Sequence, residues 1–298
     1  METQDLYREY RPLLFSLAYR MLGSVMDAED VVQETFLAFA GVDGGRKEEV
    51  ANLRAYLCKM VTNRSVDLLR SAKHRREVYV GPWLPEPVVQ RNTGQAAEPL
   101  HDLLLRDDLS MAYLLLMETL TPEERAIFVL REAFAYSYAE IALLVEKKEA
   151  NCRKIYSRIK SKLGPELAAA RADHAKDLTT LHRFLAAFSD GDVGQLLELL
   201  SADAVLYSDG GGKATAAIRP ILSAANVLSF LQGIASRLGT DSAMEIATIN
   251  GQPGLLFLTA GCVHSTLSFQ QQEGRIRRFY ILRNPDKLEA LALTLPTR

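Results

Sequence analysis

Three short segments concentrate the side chains with the most chemical potential. Residues 27–34, DAEDVVQE, carry Asp27, Glu29, Asp30 and Glu34 with no basic group. Residues 59–76 carry Lys59, Arg64, Arg70, Lys73, Arg75 and Arg76 against Asp67 alone. Residues 147–162 carry Lys147, Lys148, Arg153, Lys154, Arg158, Lys160 and Lys162 against Glu149 alone. Any one such run also reads as a solvated helix face. Two basic helices in separate helical segments, joined by a linker, suit contact with two separated stretches of one DNA duplex through its phosphates. The net charge of −2, from 35 basic and 37 acidic residues, conceals this segregation.

Other chemistry finds little support. The cysteines Cys58, Cys152 and Cys262 lie far apart and form no CxxC, and the five histidines are scattered. Neither a metal site nor a disulfide framework is expected, no cofactor is implied, and Cys152 is expected to face the core. Tyr207, Asp209 and His264 are the tempting candidates for acid–base catalysis. A catalytic carboxylate needs burial or a charged neighbour to shift its pKa, which the sequence does not supply. Asp209 precedes Gly210, Gly211 and Gly212, so it reads as shaping a tight turn. His264 sits in an alternating segment and reads as a packed or surface imidazole. No catalytic residue is assigned.

The elements that must carry these residues divide the chain. Apolar residues make up 48% and charged residues 24%, an ordinary globular balance that excludes a disordered or fibrous chain. No apolar run reaches the roughly 20 residues of a membrane span. The N-terminus, METQDLYREYRPLL, lacks the pattern of a signal peptide, so a cytoplasmic location is expected. Residues 1–76 read as successive helices with stripes Leu13–Leu14–Leu17–Ala18–Met21 and Val31–Val32–Phe36–Phe39. Residues 77–99 hold Pro82, Pro85, Pro87 and Pro99 and read as an extended linker.

Residues 100–164 return to helices. Thr121-Pro122-Glu123-Glu124 is a helix start, helices follow at about 122–134, 138–146 and 149–163, and Gly164-Pro165 is expected to stop the last one. Ala142 and Ile155 are placed to pack the final two as a helix-turn-helix. Glu146 stands where such turns often carry glycine, and Lys148 where a neutral cap is common. Residues 165–177 read as a connector. Residues 178–298 change to helices followed by alternating segments at 203–208, 243–249, 254–260, 263–271 and 274–283, an α+β domain with a mainly antiparallel sheet. The fold class expected is multi-domain, with two all-α modules and a C-terminal α+β module.

Two segments now carry a family resemblance. DAEDVVQETFL followed by NLRAYLCKMVTNRSVDLLRSAKHRR resembles region 2 of the sigma-70 superfamily in its extracytoplasmic-function (ECF) form. LTPEERAIFVLREAFAYSYAEIALLVEKKEANCRKIYSRIKSKL resembles region 4. The linker motif Trp83-Leu84-Pro85-Glu86-Pro87, the loop Asp209-Gly210-Gly211-Gly212-Lys213 and the run Asn284-Pro285-Asp286-Lys287-Leu288 resemble the subgroup with a C-terminal SnoaL-like domain, a cone with a curved sheet.

The resemblance implies roles for these positions. Asp27, Asp30, Gln33 and Glu34 would dock on the β′ clamp helices of core RNA polymerase. Asn63, Arg64, Arg70, Lys73, Arg75 and Arg76 would hold the promoter −10 element, with residues 42–50 as the specificity loop. Arg131, Arg153, Lys154, Ser157, Arg158 and Lys160 would contact the −35 element. The three C-terminal-subgroup motifs would form interdomain or regulatory contacts, with the lone Trp83 docked in a pocket. The SnoaL-like domain would then modulate the factor in place of a separate anti-sigma protein, the free chain would be a monomer, and a cavity in the domain would admit an unnamed small-molecule ligand. Two alternatives stay open at this point: an enzyme of the SnoaL or ketosteroid-isomerase kind, or a ligand sensor, with a DNA-binding appendage, and a helix-turn-helix repressor that never meets polymerase.

Overall fold

The computed structural model of the chain describes residues 3–41, 52–77, 79–91, 109–170, 174–239 and 241–294. They form two compact units. One draws its described residues from Met1–Glu77 and Leu114–Ala168, the other from Val78–Ala96, Asp108–Tyr113 and Ala169–Arg298.

The first unit is helical. Helix α1 (Thr3–Leu22) buries Leu14, Leu17, Ala18 and Met21 completely, while Leu13 is half-buried. Helix α2 (Val25–Ala40) starts at Ser24, whose hydroxyl accepts from the Asp27 N–H at 3.0 Å, and buries Val31, Val32, Phe36 and Phe39. Helix α3 (Leu53–Glu77) buries Leu57, Cys58 and Val61, and α1 packs against both α2 and α3. The same 3.6-residue stripes visible in the sequence form this core.

Helix α4 (Met111–Glu118) leads into α5 (Pro122–Glu132), whose capping box joins Thr121 and Glu124. A second capping box, Ser137 with Glu140, opens α6 (Tyr138–Leu144). Helix α5 packs against α1 and α3, and α6 against α3, so the two helical segments form one unit rather than two separate ones. Arg125 explains part of this. It is 3% exposed, and its Nη1 donates to the Met21 carbonyl at 2.5 Å and to Glu118 at 2.7 Å. A buried guanidinium needs such partners.

The turn before α7 (Glu149–Ala169) places Glu146 at φ +53°, the left-handed conformation that glycine adopts most readily. The glycine expected there is absent, but its backbone geometry is present. Helix α7 runs through Gly164-Pro165, against the expected stop. The carbonyl that Pro165 leaves without an N–H belongs to Ser161, an exposed residue, where water can satisfy it. Cys152 is fully buried, as its position on α7 leads one to expect.

The second unit joins helices α8 (His174–Asp190), α9 (Val193–Leu199) and α10 (Ala224–Ala235) to a seven-stranded sheet. Its strands are β1 (Val89–Arg91), β2 (Leu200–Asp209), β3 (Ile221–Leu222), β4 (Ser242–Ile249), β5 (Gln252–Thr259), β6 (Cys262–Gln272) and β7 (Arg275–Leu282), in the order β1-β4-β5-β6-β7-β2-β3. All pairs are antiparallel except β2 with β7. Register shifts interrupt β2–β7, β5–β6 and β6–β7, and such bulges bend a sheet. One face packs on the helices through Phe184, Leu206, Leu255, Phe257, Phe269 and Phe279.

Strand β5 is buried at seven successive positions, so its other face is covered too. Segments outside the expected 178–298 boundary reach the sheet. β1, in the stretch read as linker, pairs with β4 from Val89↔Ile249 to Arg91↔Ala247. Val88 and Asn250 exchange two hydrogen bonds of 2.8 Å. The β-branched pair Val88-Val89, following the last proline of the motif, suits a strand. A final helix, α11 (Pro285–Thr294), closes the described chain.

Candidate nucleic-acid interface

The acidic surface lies on α2. Asp30, Gln33 and Glu34 are exposed and Asp27 is half-buried in the first turn. Met26 and Leu37 are exposed large hydrophobics, at 48% and 73%. Met26, Asp30, Gln33 and Leu37 recur at helical spacing and share one face. The sequence reading passed over the two apolar members, although that spacing was available to it.

The first basic surface lies on α3. Asn63 and Arg70 are exposed, and Arg64 is half-buried with its Nε 3.8 Å from Glu34. Arg70 donates Nε and Nη2 to one oxygen of Glu123 at 3.1 and 2.5 Å. Lys59 pairs with Glu146 at 2.9 Å. Lys73, Arg75 and Arg76 lie on the last turns of α3, with side chains outside the described residues. The expected specificity loop, 42–50, also lies outside them.

The second basic surface lies on α7. Arg153, Lys154, Ser157, Arg158 and Lys160 are all exposed. Arg153 pairs with Glu149 at 2.7 Å, Lys160 with Glu132 at 2.9 Å, and Arg158 with Glu124. Burial raises the carboxyls of Glu123 and Glu124. Hydrogen bonds outweigh it and hold both below the usual range: from Arg70 and the backbone for Glu123, and from Thr121 and Arg158 for Glu124. Arg131 is half-buried and donates Nη1 to the Tyr136 carbonyl at 2.8 Å. Arg70, Arg153, Arg158 and Lys160 are thus each held by one of the protein's own carboxylates.

The three motifs of the second unit converge on one buried carboxylate. Asp209 is fully buried. Its Oδ1 accepts from the Tyr79 hydroxyl at 2.6 Å and the Gly211 N–H at 3.0 Å. Its Oδ2 accepts from the Leu84 N–H and from Lys287 Nζ, both at 2.8 Å. Lys287 Nζ also donates to the Leu84 carbonyl at 2.5 Å and lies 4.2 Å from the centre of the Trp83 ring. Asn284 Nδ2 donates to the Tyr79 hydroxyl at 2.8 Å, and Lys213 pairs with the exposed Asp286 at 2.6 Å. Leu84, Pro85, Glu86, Pro87 and Leu288 are buried, Trp83 is half-buried, and Pro285 is exposed.

The loop needs its glycines. A Cβ on Gly210 would lie 2.1 Å from the Ala214 carbonyl oxygen, and one on Gly211 (φ +60°) 2.3 Å from Asn284 Nδ2. Tyr79, which the sequence reading did not single out, completes the cluster. Burial first, then the hydrogen bond to Asp209, pushes its hydroxyl pKa up. Both oxygens of Asp209 are thus each met by two donors from within the chain, with no exposure to solvent. Burial and the Arg283 charge push His264 down, and Tyr207 stacks on Tyr280 at 5.8 Å. Among the described residues, no His, Cys, Asp and Glu groups are placed to hold a metal, and no helix is long and apolar enough to cross a membrane.

Residues 6–75 match Sigma-70 region 2, and residues 110–163 match Sigma-70, region 4. The ECF RNA polymerase sigma factor SigJ of Mycobacterium tuberculosis is 34% identical over 301 residues, covering 96% of this chain and 93% of that protein. The probable ECF RNA polymerase sigma factor SigI of the same species is 27% identical over 293 residues, covering 97% and 96%. The crystal structure of the M. tuberculosis SigJ protein superposes with a TM-score of 0.76 at 29% identity, covering 96% of this chain and 98% of that one.

Proposed function

The chain belongs to the ECF family of RNA polymerase sigma factors, and from that membership we propose how its surfaces divide between polymerase and promoter. As a transcription-initiation factor it binds core RNA polymerase and promoter DNA. The acidic face of α2, Asp27, Asp30, Gln33 and Glu34 with Met26 and Leu37 beside them, docks on the β′ clamp helices. Asn63 pairs with a base of the −10 element, while Arg64, Arg70, Lys73, Arg75 and Arg76 hold its phosphates. Helix α7 enters the major groove of the −35 element, where Arg153, Lys154, Ser157, Arg158 and Lys160 meet bases and phosphates, with Arg131 in support. The observation that carries this reading is the exposure of Asp30, Gln33 and Glu34 on α2 and of Arg153, Lys154, Arg158 and Lys160 on α7, an acidic and a basic surface on different helices.

Region 2 spans 1–76 and region 4 spans 100–164. The SnoaL-like domain, 178–298, modulates the factor through the linker 77–99, with residues 165–177 connecting it to region 4. Support comes from the linker motif engaging Asp209 and Lys287, so that the domain governs how far the linker is free. A small molecule bound in this domain would act through its differential affinity for the docked and released linker. The free chain is a monomer.

Capture by core polymerase tests the reading. Asp30→Lys with Glu34→Lys is expected to abolish co-purification with core enzyme, while the variant keeps its helical circular dichroism. Undiminished capture would remove α2 from the docking surface.

A further inference from the structure

We propose that Tyr138 is a positioning residue for promoter reading, its ring gathering the guanidinium groups of Arg131 and Arg153 so that both present to one stretch of −35 DNA. This rests on the reading of α7 as the −35 reader. Tyr138 is half-buried at the first residue of α6. Arg131 comes from the last turn of α5 and Arg153 from the start of α7, and each guanidinium carbon lies 4.8 Å from the centre of the Tyr138 ring.

The ring itself is held in place. It meets Tyr156 edge-on at 5.9 Å, and Tyr156 stacks on Phe128 at 6.1 Å. The Ser137–Glu140 capping box fixes the backbone immediately around it.

Two like charges brought to one place repel each other. An aromatic face offsets this by attracting each cation through its quadrupole. The ring contact itself takes up no N–H group, so the guanidinium N–H groups not spent on the Tyr136 carbonyl by Arg131 or on Glu149 by Arg153 stay available, and a guanidinium fork matches guanine O6 and N7, or a phosphate. Arg153 also pairs with Glu149, as Arg158 does with Glu124 and Lys160 with Glu132, and these carboxylate contacts are ones that DNA must displace. The Tyr138 contact does not compete with DNA for charge, so it can persist in the complex. It therefore fixes the relative placement of two contacts that come from different helices.

The test uses the full chain assembled with core polymerase. Binding is measured on a promoter that keeps its −35 element and on the same promoter with that element replaced. Tyr138→Leu is expected to weaken binding to the first by roughly 3- to 10-fold and leave the second unchanged. Tyr138→Phe, which keeps the ring, is expected to bind like the parent. Adding Tyr138→Leu to the pair Arg131→Ala and Arg153→Ala is expected to cause no further loss. The proposal is overturned if the arginine pair weakens −35 binding while Tyr138→Leu does not, if the losses simply add, or if Tyr138→Phe falls as far as Tyr138→Leu. If the arginine pair has no effect, the −35 reading of α7 falls and the role of Tyr138 falls with it.

Discussion

Lys287 Nζ lies 2.8 Å from Asp209 Oδ2, and neither side chain is more than 8% exposed. This buried ion pair links the end of β2, the start of α11 and, through Leu84, the proline-rich segment before β1. Removing one partner leaves an uncompensated charge away from water. Asp209→Asn and Lys287→Met are each expected to destabilise the C-terminal unit by about 3–5 kcal/mol. The double variant should cost less than the two losses combined. Denaturant unfolding of the three variants measures this, and additive losses would mean the two groups act independently.

The glycine loop predicts a rank order. Gly210→Ala places a methyl 2.1 Å from a backbone oxygen, which cannot swing aside. Gly211→Ala meets the Asn284 amide, whose displacement would break its bond to Tyr79. Gly212 has φ +73°, but its nearest neighbour is a Val80 methyl at 3.3 Å. Gly210→Ala and Gly211→Ala should each cost about 1–3 kcal/mol or more, and Gly212→Ala about 1–2 kcal/mol from its left-handed backbone alone. Unfolding midpoints give the order, and a Gly212 variant as damaged as the Gly210 one would contradict it.

The pairing of Arg70 with Glu123 has a consequence for DNA and one for pH. Freeing Arg70 by Glu123→Gln should let the free chain bind single-stranded −10 DNA a few-fold more tightly, as read by fluorescence anisotropy. Glu123 and Glu124 have depressed pKa values, so their stabilisation is present above the ordinary glutamate range and lost as pH falls through the lowered values. The parent should therefore be more stable than Glu123→Gln with Glu124→Gln at neutral pH, and the two should converge in acid. A stability gap that persists below the lowered pKa values would show that the charges are not its source.

On α2, Leu37 is 73% exposed and shares a face with Asp30 and Gln33. Leu37→Asp should abolish capture by core polymerase while leaving the melting temperature unchanged, because the side chain buries little in the free chain. Retained capture in a pull-down would exclude this end of the helix from the docking surface.

Much of this was legible locally. The stripes of α1 and α2 and the Thr121 cap follow rules that act within a few residues. The charge runs could be read directly, and so could the five longer strands of the sheet. The continuation of α7 past Pro165 was not, because whether a lost backbone bond is tolerated depends on water reaching the freed carbonyl. Strand β1 was hidden by the prolines that precede it, and its three residues gain their pairing only from β4, more than 150 positions away.

By itself, then, the sequence determined the helices, the segregation of acidic from basic faces, and the two sigma signatures in their order. Only the tertiary structure decided which groups meet. Asp209 finds Leu84 at a separation of 125 residues and Lys287 at 78, and Tyr79 finds Asn284 at 205. No periodicity spans such distances. A buried carboxylate takes whatever donors the packing brings to it, and that packing turned a proline-rich stretch read as linker into part of a folded unit.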